Sequence, residues 1–248
     1  MNLLNQEILL VDKPAGISSF GVVARVRRIL TDQRREQIKQ EWVSSGKKLE
    51  DLPKSALPKR IKVGHAGTLD PFATGLLILL LGKATKRAGE FLKKDKRYEA
   101  TICLGKVSST GDIEGEITDY EVGNDKIPTD AEIEEVVAGF QGEIEQTVPA
   151  YSAVKIEGRR AYDLARKGIE VDMPKRKVKI YSISILKYDW PELVIDCKVS
   201  SGTYIRALGE DIGKALGVGG YLTALRRTEI GDKKVSDAVT LEEIGVQS

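Results

Sequence analysis

Asp70 is the carboxylate best placed for chemistry, because it lies inside Gly64-His65-Ala66-Gly67-Thr68-Leu69-Asp70-Pro71-Phe72-Ala73-Thr74-Gly75. Glycine opens positive φ and close backbone approach, and Pro71 pushes Asp70 toward an extended conformation, so this stretch reads as a shaped loop. A carboxylate on such a loop, at the mouth of a rigid core element, is well placed to do chemistry; Asp-Pro is also an ordinary turn start. Other chemistries lack their residues. The single histidine, His65, excludes a multi-histidine metal site, and there is no Gly-x-Ser-x-Gly elbow for a serine nucleophile. Gly75 to Lys83 departs from phosphate-loop spacing, and Gly217-Val218-Gly219-Gly220 lacks the third glycine of a dinucleotide fingerprint. An enzyme built from this chain would work without a cofactor or a metal, through a carboxylate, tyrosines and arginines.

The element that must hold the loop is the apolar run Leu76 to Leu81, stopped by Gly82. It reads as a strand buried on both faces, although the pattern alone also fits a buried helical segment. Glu7 to Val11 is a short strand ending in the turn Asp12-Lys13-Pro14-Ala15-Gly16. Ser18 or Ser19 caps a helix with Phe20, Val23, Val26 and Leu30 on its apolar stripe, and Lys13 reads as structural. Thr31 to Arg60 is charged and broken by Pro53 and Pro58, which fits a charged helix, a helical hairpin or a partly ordered insertion.

Further on, Ala84 to Leu92 reads as a helix, and Arg97 to Leu104 alternates as a strand with Tyr98, Ala100, Ile102 and Leu104 on one face. Thr129 and Glu132 form a capping box, and Arg159 to Lys167 reads as a helix. Two long strands follow, Val178 to Tyr188 and Leu193 to Ser200. Gly202-Thr203 then opens a helix with Ile205, Leu208, Ile212 and Leu216 buried, and Tyr221 to Ile230 is a last strand or turn. Strands that follow one another in sequence favour an α+β fold with a mixed, mainly antiparallel sheet.

With 41% hydrophobic and 31% charged residues the chain is a folded protein and not a disordered one. Its net charge of +2 hides a polarity: acids dominate Asp112 to Glu145, and bases dominate Lys155 to Lys187. That asymmetry fits a polyanion meeting one face, and it also fits an unevenly charged solvated surface. Tyr151 and Tyr162 in the polar segment Pro149 to Lys177 offer stacking surfaces for RNA. Cys103 and Cys197 have no metal or redox spacing and read as small buried hydrophobes of a reducing compartment. No signal peptide or membrane-spanning run is evident, so a cytoplasmic location with no membrane partner is expected.

Taken in order, several of these stretches resemble one family. The run His65 to Leu77 resembles the catalytic motif of the TruB family of tRNA pseudouridine-55 synthases. The stretches Asp12 to Ser19, Lys96-Arg97-Tyr98, Tyr151 to Lys155, Tyr162 to Gly168, Gly202 to Arg206 and Leu225-Arg226-Arg227 are similar to its other motifs.

The resemblance implies a pseudouridine-synthase-like fold and isomerisation of the T-loop uridine of tRNA. It makes Asp70 the nucleophile, Arg206 its arginine partner and Tyr98 the tyrosine that stacks on the flipped base and is a candidate for proton abstraction. It gives His65 the space the uridine vacates, and it puts Tyr204 and Leu225 in the base pocket. Attack at C1′, attack at C6 and a glycal route all fit these residues. It further implies a catalytic domain over residues 1–232, a basic thumb at 149–177 gripping the T-arm, and a monomer.

Two departures go with it. Residues 31–60 lengthen a connection that is short in typical bacterial members, and residues 233–248 are too few for a PUA domain. The alternatives are the catalytic subunit of a guide-RNA-dependent particle and a non-catalytic RNA-binding or tRNA-folding module.

Overall fold

The computed structural model describes residues 3–120, 127–152, 154–156, 158–165, 168–169 and 171–245. Glu121, Asp125 and Lys126 of the acidic stretch, and Ala153, Glu157, Arg166, Lys167 and Glu170 of the basic one, lie outside these described residues. The chain forms two compact units, Met1–Lys93 with Thr228–Ser248, and Lys94–Arg227.

In chain order the first unit contributes β1 (Ile8–Lys13), α1 (Ser19–Ser44), β2 (Val63–Ala66), β3 (Thr74–Leu81) and α2 (Ala88–Leu92). Next come β4 (Lys96–Leu104), β5 (Lys106–Ser108), β6 (Ile117–Asp119), α3 (Asp130–Gly139) and β7 (Gly142–Thr147). They are followed by β8 (Lys155–Ile156), β9 (Arg159–Arg160), α4 (Ala161–Ala165), β10 (Lys175–Asp189) and β11 (Glu192–Val199). The chain continues with α5 (Ile205–Ala215), β12 (Gly220–Ile230), β13 (Lys233–Lys234) and β14 (Val239–Thr240). The fold is α+β with mostly antiparallel pairing.

In the first unit β3 is the spine. It pairs antiparallel with β1 and with β2, and β1 pairs parallel with β14. The apolar run is a strand, and both its faces are covered. Leu77, Leu79 and Leu81 pack against Val22, Val23, Val26 and Leu30 of α1, whereas Leu76, Ile78 and Leu80 pack with Ala66, Phe91 and Ile230. Successive side chains of a strand point to opposite faces, so an uninterrupted apolar run needs two cores.

Helix α1 differs from its predicted stripe. Phe20 is 66% exposed, and Val22 takes the buried position that completes the stripe with Val23, Val26 and Leu30. Residues 31–60 do not begin a separate element. α1 runs straight through to Ser44, and two short 3-10 turns at Leu49–Asp51 and Lys54–Ala56 lead back along it. The excursion closes where it opens: the Ile61 N–H donates to Thr31 Oγ1 at 3.1 Å, while Thr31 Oγ1 donates to the Arg27 carbonyl. The predicted helix over Ala84 to Leu92 is a 3-10 stretch at Gly82–Arg87 that widens into the α-helix α2 only at Ala88.

In the second unit the strand order is β12-β4-β11-β10-β7, with β4, β11, β10 and β7 successively antiparallel. On β4 the predicted alternation holds, with Tyr98, Ala100, Ile102 and Leu104 buried. Cys103 falls on the opposite phase of the same strand and is therefore half-buried, unlike Cys197, whose thiol burial pushes up to about 12. α3 opens on the capping box of Thr129 and Glu132, and α5 buries Ile205, Leu208, Ile212 and Leu216 as its spacing predicts. Arg159 and Arg160 belong to a two-stranded ribbon with Lys155 and Ile156, so the helix predicted from Arg159 is described only over Ala161–Ala165.

Candidate active site

The predicted site residues fall on both units: His65 and Asp70 on the first, Tyr98, Tyr204, Arg206 and Leu225 on the second. The loop from Gly67 to Ala73 connects β2 to β3, and Gly67 and Gly75 both hold φ near +98°, a region costly for any residue with a Cβ. Asp70 is half-buried on this loop between the buried residues Leu69 and Phe72.

Its backbone is gripped on both sides. Ser19 Oγ accepts from the Leu69 N–H at 2.8 Å and donates to the Leu69 carbonyl at 2.9 Å. The adjacent serines thus divide two jobs, because Ser18 is the cap that accepts from the Gly21 N–H. On the other side, the fully buried Lys13 donates from Nζ to the carbonyls of Pro14, Ile17 and Pro71 at 2.8, 2.7 and 3.1 Å. The Gly16 N–H also donates to the Pro71 carbonyl at 2.9 Å. Taking an ammonium out of water is costly unless acceptors replace it, and three carbonyls do so here. The structural reading of Lys13 is correct, and what the sequence did not disclose is that its cargo is the peptide next to Asp70. His65 lies on β2 opposite Leu79 of β3, half-buried.

In the second unit Arg206 sits at the start of α5 and is nearly buried. Its Nη1 lies 3.1 Å from Asp112 Oδ2 and donates to the Thr110 carbonyl at 3.0 Å, and its Nη2 donates to the Tyr151 carbonyl at 2.9 Å. Arg206 is therefore no solvent-facing partner for Glu210, the local alternative that its spacing allows. Asp112 is 1% exposed; its Oδ1 accepts from Thr110 Oγ1 at 2.6 Å and from the Glu114 N–H at 3.0 Å. These donors and the guanidinium fix the Asp112 carboxylate in place.

The turn that delivers Asp112 needs Gly111, at φ +73°, where a Cβ would also come within 2.7 Å of Glu210 Oε1. In the sequence Gly111-Asp112 reads only as a turn, and nothing there links its acid to an arginine 94 positions later.

Tyr204 precedes α5, and the buried Gln146 of β7 clamps its peptide. The Tyr204 N–H donates to Gln146 Oε1 at 3.1 Å, and Gln146 Nε2 donates to the Tyr204 carbonyl at 3.2 Å. Gln146 was not foreseen; its only signal is that it shares strand phase with Ile144. Tyr98 on β4 and Leu225 on β12 are both buried, and β4 and β12 are neighbouring strands. Beside Tyr98, Arg97 makes a bidentate pair with Asp196 at 2.8–3.0 Å. Lys96 is buried, and that burial, with Arg227 nearby, brings its pKa down to about 8 against the opposing pull of Asp95. Tyr151 and Tyr162 meet edge to face at 6.5 Å. Among the described residues no group of three or more His, Cys, Asp or Glu is placed to hold a metal ion.

Comparison with known proteins places this arrangement. Residues 54–205 match the TruB family pseudouridylate synthase (N terminal domain), and residues 206–247 match the tRNA pseudouridylate synthase B C-terminal domain. The chain is 47% identical over 240 residues to the tRNA pseudouridine synthase B of Desulfotalea psychrophila, covering 94% of this chain and 85% of that one. It is 42% identical over 242 residues to the tRNA pseudouridine synthase B of Phocaeicola vulgatus, with 98% and 93% covered.

Among solved structures, a chain of a Cbf5-Nop10-Gar1 complex superposes with a TM-score of 0.64 at 30% identity, over 95% of this chain and 52% of that chain. A chain of an H/ACA RNP bound to a substrate RNA containing 2'-deoxyuridine gives 0.61 at 26% identity, over 97% and 56%. The chain thus spans about half the length of those solved chains. The motif around Asp70, the fold and the two domain matches agree: the chain belongs to the TruB family of pseudouridylate synthases.

Proposed function

We propose that the chain is a tRNA pseudouridine synthase that isomerises the T-loop uridine at position 55, with Asp70 as its nucleophile. The observation that carries this reading is the Asp70 loop, whose backbone is fixed by Ser19 on one side and by Lys13 on the other. The isomerisation breaks the N1–C1′ bond, turns the base and joins C5 to C1′; C5 loses a proton and N1 gains one. A carboxylate that bonds covalently to the intermediate and then leaves is regenerated unchanged, which suits a cofactor-free site.

The target base must leave its stack before the glycosidic bond is reachable. In this reading Tyr98 stacks on the flipped base and takes part in moving the C5 proton, Tyr204 and Leu225 line the base pocket, and His65 fills the vacated space. Arg206 is the cation assigned to keep Asp70 ionised, held for that role by Asp112. The substrate is the T-arm of tRNA, gripped by residues 149–177 of a catalytic body spanning residues 1–232. The protein works as a cytoplasmic monomer; no helix among the described residues is long and apolar enough to cross a membrane.

The test is to incubate the purified protein with bare T-arm RNA and map the modified nucleotide. Pseudouridine at position 55, lost in Asp70→Asn while RNA binding persists, is the expected result. Turnover only in the presence of a guide RNA would move the chain to the guide-dependent class, and unchanged turnover in Asp70→Asn would remove the nucleophile assignment.

A further inference from the structure

A positively charged cleft of about 280 Å³ lies between the middle of α1 and the segment that returns to β2. It is lined by Arg27, Arg28, Arg35, Lys59 and Arg60, with Thr31, Ala24 and one carboxylate, Asp32. Five cations against one acid, and a single apolar lining residue, suit an anion and not an apolar ligand.

The cations divide into two groups. Arg35 builds the wall: it donates from Nε to the Pro58 carbonyl at 3.0 Å and from Nη2 to the Lys59 carbonyl at 3.3 Å, and it pairs with Asp32 at 3.4 Å. Arg27 does the same, donating from Nη2 to the Val63 carbonyl at 2.9 Å while its guanidinium lies 6.0 Å from the Phe20 ring. Arg28, Lys59 and Arg60 are exposed, and among the described residues none of the three has an ion pair or side-chain hydrogen bond. Like charges gathered without partners repel one another, and a bound polyanion relieves that cost.

We propose that this cleft grips the phosphodiester backbone of the substrate RNA, through Arg28, Lys59 and Arg60. The proposal rests on the tRNA-modifying reading above. RNA backbone is favoured over a free phosphate compound because α1 is tied to the catalytic loop: Ser19, in its first turn, holds Leu69 beside Asp70. At roughly 1.5 Å rise per residue, Arg28 and Arg35 lie about 14 and 24 Å along the helix from Ser19. With one phosphate per strand at most about every 3.4 Å of duplex axis, and closer in A-form RNA, that reach corresponds to roughly four to eight nucleotide steps. The contact therefore falls on the stem that adjoins the target loop, and only an RNA with enough stem reaches it.

The experiment compares wild type with the triple variant Arg28→Ala/Lys59→Ala/Arg60→Ala on two hairpins sharing one target loop, with stems of about three and about twelve base pairs. Each released phosphate contact changes the slope of log affinity against log salt by roughly 0.7–0.9. On the long stem the triple variant is expected to raise KM about tenfold and to flatten that slope by about two, with kcat within twofold. On the short stem wild type and variant should coincide.

Equal KM values on the long stem at matched salt, or equal losses on both stems, would overturn the proposal. The single variant Arg60→Glu, with its thermal midpoint measured, repeats the test should the triple variant fail to fold. A wild-type protein that modifies neither hairpin would instead strike at the proposed function, so the two failures read differently.

Discussion

The Asp70 loop and the Arg206 group are immobilised in opposite ways. Around Asp70 the protein grips backbone: the Leu69 peptide through Ser19, and the Pro71 carbonyl through Lys13 and the Gly16 N–H. Around Arg206 it grips the side chain itself, with a buried carboxylate and two carbonyls. A backbone grip fixes where a side chain starts without depending on its charge. A side-chain grip makes the ionised group part of the core, and truncating it strands a buried partner. The first arrangement suits a group that must change its bonding during a reaction, and the second suits one whose charge must stay constant.

The largest effect expected from this contrast is therefore at Arg206. Arg206→Ala leaves Asp112 as an uncompensated buried charge and should cost about 3–5 kcal/mol in denaturant melts. Adding Asp112→Leu to that variant should restore part of the loss, and a double variant no more stable than the single one would break the comparison. Lys13→Met deprives three carbonyls of their donor and should cost about 1–3 kcal/mol, with a fall in turnover because the Pro71 peptide loosens.

A smaller effect concerns Lys96, a second buried lysine, whose pKa is about 8 against an ordinary 10.5. The unfolded chain then binds the extra proton between those values, so this group's contribution to stability rises as pH increases from about 8 to 10.5. Lys96→Met should flatten that part of a stability–pH curve; an unaltered curve would mean that the ammonium is better solvated than its burial implies. A smaller stability change is expected at Asp70→Asn, about 1 kcal/mol or less, because Ser19 and Lys13 hold the loop by its backbone. A loss above about 2 kcal/mol would show that the carboxylate also holds the loop.

What the sequence disclosed follows the same division. Patterns with a period were legible: the β3 run, the alternation of β4 and the α5 stripe each report burial through spacing. The motif around Asp70 was legible because its glycines and proline are demanded by backbone shape. Asp112, Gln146 and the cargo of Lys13 were not, since each acts through a partner brought close only by tertiary packing. Phe20 shows the limit of a helical template. Its position fits an apolar stripe by spacing, yet rotation of α1 on β3 buries Val22 instead, and Phe20 lies out beside Arg27.

The hydrogen bond between Ile61 and Thr31 has a consequence for how this protein changes over evolution. The excursion leaves and re-enters the body at one pinned point, so β2 keeps its register with β3 whatever lies between. Closing a loop twice as long costs only about 0.6 kcal/mol more. Position 31 is in effect a socket, into which segments of very different length and charge can be fitted without retuning the Asp70 loop further along the chain.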